Sequence, residues 1–412
     1  MKIIYHIILG FWAIAILPRT LFQYFFQRKY HSNLAVRLGL RFPQFPIKEE
    51  GEMRIWIHAV SLGETKAVAP FIERIKKDFP AAKIFFSSTT ETGQKEAREK
   101  IKAIDHLFFL PLDFGFLMKR IVRSISPDLF ILVETDFWYN MLKELKKEGA
   151  KIALINGKIS KSSFQRYKSA GAFSKRLFGF FDLMCLQSDE YKKRFVSLGV
   201  SERKISVTGN IKFDVETVLT PSVKLNLPTA KQVVAIVSTH ENEEEMILSA
   251  LKEVSSNVCL LLAPRHPERF EKVKKVLKKN KISFRTVDEE SKGDERVILV
   301  DKIGVLDQCY EISKVAIMGG SFVKNIGGHN IYEPIRSGIP VIYGPYMYKQ
   351  EELVRALKKH NIGKQVALED LQETLIKYLE KENEDETFST IKGEMEGATD
   401  RSWELVKSSL GN

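Results

Sequence analysis

An α/β fold of two Rossmann-like domains, each built on a parallel sheet, is predicted by three observations. Apolar β-type runs alternate with amphipathic helical runs along most of the chain, which is the pattern of βαβ units. The alternation breaks once, at residues 215–231 (VETVLTPSVKLNLPTAK), where two prolines interrupt any periodicity, and then restarts. The charge balance changes at the same place: residues 1–215 carry 36 Lys and Arg against 21 Asp and Glu, and residues 216–412 carry 28 against 31. The expected organisation is an N-terminal segment at 1–26, a basic domain at 27–215, a linker at 216–231 and a second domain at 232–412. The last helix of the second domain is a candidate to cross back to the first.

Residues 3–17 (IIYHIILGFWAIAIL) carry no charge, Pro18 and Arg19 end the run, and residues 20–26 extend the apolar stretch. The first run alone is shorter than the ~20 residues of an ordinary spanning helix, and the extension reaches that length. The basic residues after it (Arg19, Arg28, Lys29, Arg37, Arg41) outnumber Lys2, which places the bulk of the chain on the cytoplasmic side. The segment is read as a membrane anchor, either spanning or lying in one leaflet; a buried core helix is the alternative.

In the basic domain, residues 54–60, 83–88, 129–133, 151–155, 183–186 and 205–207 read as strands. Gly63 and Glu64 open a helix that runs to about Asp78, and residues 92–101 form another. In the second domain the strands are 233–238, 259–263, 297–300, 315–318 and 341–343. The 44% hydrophobic and 28% charged composition excludes disorder and collagen-like repeats. The three cysteines, Cys185, Cys259 and Cys309, form no CxxC pair. This argues against a disulfide scaffold or a structural zinc site, and a reducing cytosolic setting fits.

Doubly wound domains bind ligands at the C-terminal ends of their strands, which selects a short list of residues. Glu64 sits at a helix start after the first strand, either as a general base for a hydroxyl group or as an acid favoured by the helix dipole. Glu134 and Asp136 follow the strand 129–133 beside Phe137 and Trp138, which suits a sugar or a helix cap. Lys212, in TGNIKFD, is either a counter-charge for an anion or a surface lysine. In the second domain, Pro264 and Arg265 follow a strand, where Arg265 is placed for bidentate binding of phosphate or carboxylate. Two Gly-Gly pairs, Gly319-Gly320 and Gly327-Gly328, precede Asn330, Ile331, Tyr332 and Glu333. They match neither GxGxxG nor the P-loop; they permit close backbone approach, with a helix N-terminus for one phosphate and Glu333 for ribose hydroxyls. No metal or cofactor signature is present, and no motif interleaves basic and aromatic residues for nucleic acid.

Taken in order, HAVSLGE (58–64), VETDFWYN (133–140), INGKISKSSFQRY (155–167), TGNIKFD (208–214), APRHPERF (263–270) and GGSFVKNIGGHNIYEPIRSGIPVIYGP (319–345) resemble the Kdo (3-deoxy-D-manno-octulosonic acid) transferases of lipopolysaccharide assembly. The resemblance runs from the N-terminal segment to about residue 380. It implies the GT-B glycosyltransferase fold, with a cleft between the domains, and transfer of Kdo from CMP-Kdo to the lipid A precursor lipid IVA at the cytoplasmic face of the inner membrane. Direct displacement with inversion, without metal or cofactor, is the implied reaction. By the same resemblance Glu64 is the proton acceptor, and Glu134 and Lys212 stabilise the transition state. The donor is contacted by Pro264, Arg265, Asn330, Ile331, Tyr332, Glu333 and the loop Ile303, Gly304 and Val305. That loop departs from the family's usual MGE, so its contact is expected through the backbone. Asp136 stands where the family usually has Glu. A bisphosphorylated acceptor in an anionic membrane fits the basic first half. Two alternatives stay open: a GT-B enzyme using another nucleotide sugar on a membrane lipid, and a non-enzymatic membrane-associated anion-binding protein.

Overall fold

The computed structural model describes Tyr5 and residues 34–215 and 232–410, apart from residues 292, 294, 361 and 382–384. The expected anchor at 1–26, Tyr5 excepted, and the linker at 216–231 lie outside the described residues. Among those described, no helix is long and apolar enough to cross a membrane.

The chain divides into two compact units, Met1–Val215 with Met395–Asn412, and Glu216–Glu394. The first unit is built on β1 (Arg54–His58), β2 (Lys83–Ser88), β3 (His106–Phe109), β4 (Leu129–Val133), β5 (Lys151–Gly157), β6 (Leu183–Leu186) and β7 (Ile205–Val207). These form one sheet in the order β3-β2-β1-β4-β5-β6-β7, with every pairing parallel. Alternate side chains go to opposite faces, as the period of a strand requires. Trp56, Phe85, Phe130 and Ile152 enter one core, and Ile55, Ile84, Ile131 and Ala153 the other. Helices cover both faces, which explains why β4 reads as an unbroken apolar run, LFILV.

The second unit holds β8 (Gln232–Thr239), β9 (Val258–Pro264), β10 (Phe284–Thr286), β11 (Val297–Leu299), β12 (Val315–Met318), β13 (Val341–Tyr343) and β14 (Lys364–Gln365). Its order is β10-β11-β9-β8-β12-β13-β14, again all parallel. The chain reverses its direction of growth between β1 and β4 in the first sheet, and between β8 and β12 in the second. Such switch points leave a crevice at the strand C-termini where ligands bind.

The second unit ends earlier than the sequence boundary of 412. The final helix, Ala398–Ser409, packs on the first unit, where Trp403 is fully buried. The Trp403 ring meets Phe71 at 5.7 Å and Phe79 at 5.8 Å, edge to face. Its Nε1 donates to Asp78 Oδ2 at 2.8 Å. At the other end of the connection, Asp214 accepts from Gly397 N at 2.6 Å and Thr399 N at 2.5 Å. The helix is held in place by burial and by two charge-assisted bonds to its first turn. Trp403→Ala is expected to destabilise the first unit by about 3–5 kcal/mol, the cost of deleting a buried aromatic. Urea unfolding followed by circular dichroism reads this directly.

Candidate active site

In the first unit, the site grows from the ends of β1, β4 and β5. Ser61 caps the helix Leu62–Asp78 with extended backbone, and its hydroxyl accepts from Glu64 N. The Glu64 carboxylate answers in a variant of the capping box: Oε2 accepts from Val60 N at 2.8 Å and Oε1 from Ser61 Oγ at 3.1 Å. Glu64 is buried at 7% exposure. Burial pushes its carboxyl above the ordinary range, and the charge of Glu134 adds to this, against the pull of the Val60 and Ser61 bonds.

Glu134 has the opposite environment. It follows β4 with a left-handed φ of 62° and is 2% exposed. Lys212 Nζ reaches its Oε1 at 2.5 Å, Lys158 Nζ its Oε2 at 2.5 Å, and Asn156 Nδ2 donates to Oε1 at 3.1 Å. Burial alone would raise this carboxyl; the two lysine charges overrule it and hold the group below its ordinary range. Two neighbouring carboxyl groups whose environments push them apart have different chemical capacities. Glu64 holds a proton more readily than an ordinary glutamate, and Glu134 stays ionised between two cations.

Asp136 (φ 80°) and Asn156 (φ 53°) are also left-handed. Three non-glycine residues in this region, at the ends of adjacent strands, mark stored backbone strain of about 1–3 kcal/mol each, which clusters at functional sites. Asp136 Oδ2 accepts from Trp138 Nε1 at 2.7 Å and lies 3.3 Å from His58 Nε2. Asp136 is therefore held by two rings.

The second unit gathers its residues at the β8–β9–β12 strand ends. Arg265 is exposed, follows the buried Pro264 at the end of β9, and is strapped to the end of β8 by its N donating to Thr239 O at 3.0 Å. Its charge acts on both His329 and Glu333. Glu333 accepts from Asn330 Nδ2 and Tyr310 OH, each at 3.4 Å, and burial with the nearby Asp307 charge pushes its carboxyl up. Asn330 Oδ1 accepts from Tyr332 N at 3.1 Å, fixing the turn; Ile331 and Tyr332 are buried and serve as its packing side. Gly319 is required by close approach: a Cβ there would lie 2.6 Å from Thr239 Cα. In the third segment, Ile303 is 79% exposed, Gly304 has φ 83°, and Val305 is 2% exposed. The Val305 side chain belongs to the core, which leaves the backbone and Ile303 as the surfaces of that loop.

Sequence reading assigned no role to five residues that complete these clusters. Lys158 and Asn156 complete the Glu134 cage; an Asn-Gly pair closing a strand, followed by lysine, was the available signal. Glu243, fully buried after β8, accepts from His240 N, Gly320 N and Phe322 N at 2.9, 2.6 and 2.9 Å and ties the glycine loop to β8. His240 Nε2 lies 2.8 Å from His329 Nε2, and burial brings His329 down to about 4.

Residues 32–215 match the family model described as 3-Deoxy-D-manno-octulosonic-acid transferase (kdotransferase). The 3-deoxy-D-manno-octulosonic acid transferase of Chlamydophila psittaci is 34% identical over 409 residues, covering 95% of this chain and 92% of the relative. Among solved structures, a UDP-GlcNAc 2-epimerase from Neisseria meningitidis aligns with a TM-score of 0.60 at 12% identity, over 87% of this chain and 99% of that one. A glycosyltransferase from Rickettsia africae gives 0.58 at 15%, over 88% and 100%. At these identities the two structures speak for the fold alone, two Rossmann-like domains resembling the GT-B glycosyltransferases. With one-third identity sustained over nearly the full length of both proteins, the chain belongs to the 3-deoxy-D-manno-octulosonic acid transferase family of glycosyltransferases.

Proposed function

We propose that the protein transfers Kdo from CMP-Kdo to the lipid A precursor lipid IVA, by direct displacement with inversion at the anomeric carbon. The reading rests chiefly on the opposed settings of Glu64 and Glu134. Glu64, a buried carboxyl with raised proton affinity and no lysine or arginine within salt-bridge distance among the described residues, takes the proton from the attacking acceptor hydroxyl. Lys212, oriented by Glu134 at 2.5 Å, offsets the negative charge that develops on the donor as CMP departs. Arg265 and the turn from Asn330 to Glu333 hold the donor, whose single phosphate and carboxylate need few cations. The acceptor's phosphates and an anionic inner membrane account for the excess of 36 basic over 21 acidic residues in residues 1–215, with the catalytic units on the cytoplasmic face and residues 1–26 as the anchor.

Purified protein given CMP-Kdo and lipid IVA should yield a product heavier by Kdo in mass spectrometry. Absence of that product, with transfer from a UDP-sugar instead, overturns the donor assignment. Arg265→Ala should raise the donor KM by about tenfold to a hundredfold, the equivalent of a charge-assisted hydrogen bond. An unchanged donor KM removes Arg265 from the site.

A further inference from the structure

Beside the Glu134–Lys158 pair, the first unit contains an open cavity of about 420 Å³. Its walls include Asp136 and Trp138 from the loop after β4, Lys158 after β5, Ser163 and Tyr167 from the helix Lys161–Ser169, and Tyr191 from the helix Asp189–Ser197. Of these, only Lys158 takes part in the cage around Glu134. The volume lies within the ~300–1,000 Å³ of small-ligand sites, which combine apolar walls with a few placed polar groups.

The chemistry of the walls narrows the occupant. Trp138, Tyr167 and Tyr191 supply broad apolar faces with polar edges. The C–H face of a sugar ring packs on such surfaces while its hydroxyl groups turn to the rim. Asp136 Oδ2 receives Trp138 Nε1 at 2.7 Å and lies 3.3 Å from His58 Nε2; a carboxylate has capacity for roughly four hydrogen bonds, so Asp136 can still take hydroxyl donors. A phosphate is disfavoured, because the Lys158 charge is already matched by Glu134 at 2.5 Å and Asp136 adds a negative charge. An acyl chain is disfavoured as well, since it would strip water from Asp136 without giving it a hydrogen bond.

We propose that this cavity is a saccharide subsite, which seats a hydroxyl-bearing sugar ring of the acceptor beside the Glu134 cage. The identity of that acceptor rests on the function proposed above; the class of ligand rests on the cavity itself.

The experiment titrates the full-length protein with a glucosamine disaccharide lacking acyl chains and phosphates, observed by saturation-transfer NMR, and measures acceptor and donor KM in parallel. The parent should show transfer from its own resonances to the disaccharide. Tyr191→Ala should abolish that signal and raise the acceptor KM about tenfold, the effect of one lost contact of 1.4 kcal/mol, with donor KM unchanged. Tyr191→Phe should restore both. Should Tyr191→Ala not fold, Asp136→Asn, which preserves shape and tolerates the left-handed backbone, gives the same readout. An unchanged acceptor KM in the folded variants, or displacement of the disaccharide by inorganic phosphate or a fatty acid, overturns the subsite while leaving transferase activity intact. Disaccharide binding in a protein that transfers no Kdo would overturn the proposed reaction and keep the subsite.

Discussion

Glu64→Gln should lower turnover by about 10²–10⁴-fold, the usual contribution of a general base. The substitution isolates the proton-accepting role because glutamine at this helix position still accepts the bond that Glu64 takes from Val60 N at 2.8 Å. Stability should move the other way. Burial raises the Glu64 carboxyl in the folded protein, so folding loses stability as pH climbs from the unfolded to the folded value, and the cost is complete above the latter. Glu64→Gln removes a charge that is costly to bury, so at neutral pH the variant should melt at or above the parent temperature. The acid limb of the parent's kcat/KM profile should accordingly lie above about 4.3, the ordinary glutamate value. Turnover within about threefold of the parent would dismiss the base assignment and leave Glu64 as a helix-start acid.

Lys212→Met should cost about 10²–10³-fold in kcat, the effect of losing one preorganised charge at a reacting centre. Here the sign of the linkage is reversed. Glu134 is held below its ordinary range against its burial by Lys212 and Lys158, so its ionisation supports folding above the unfolded value, and this support fades as pH falls through the folded one. With Lys212 gone, Glu134 keeps Lys158 at 2.5 Å. The stability loss should therefore stay below the ~3–5 kcal/mol of a buried ion pair with one partner removed. Denaturation curves at about pH 3 and pH 7, on either side of the ordinary glutamate value of about 4.3, alongside steady-state kinetics separate the two effects. A variant that loses stability and keeps its kcat would make Lys212 a structural counter-charge only.

The central strands were legible in the sequence because burial on both faces leaves them nearly pure apolar runs. Of the edge strands only β7 was; β3 (HLFF), β10 (FRT) and β14 (KQ) are short and partly polar, and they exist as strands only through the neighbour that pairs with them. Glu134 could be picked out because it directly follows a strand, and Glu64 because it sits in the first turn of the helix that follows one. Lys158 had a weaker signal, the Asn-Gly pair before it, and the carboxylate it meets is fixed only by the sheet register. The pairing of Val133 with Ile155 sets the next residues, Glu134 and Asn156, side by side, and brings Lys158, just past the end of β5, to the same carboxylate. Val305 carries a related lesson. Its motif position suggested a ligand loop, but an apolar side chain at 2% exposure is occupied in the core.

The return of Met395–Asn412 to the first unit has a consequence for the order in which the protein is made. The first unit cannot close its core until Trp403 has been synthesised, because its ring packs against both Phe71 and Phe79. Residues 216–394 must all be synthesised in between, a wait on the order of ten seconds or more at typical elongation rates of ~5–20 residues per second. During that interval the apolar side of the helix Leu62–Asp78 is missing part of its cover and is open to chaperones and proteases. A nonsense codon between those for residues 394 and 403 would thus damage the first unit and spare the second, whose sequence is by then complete.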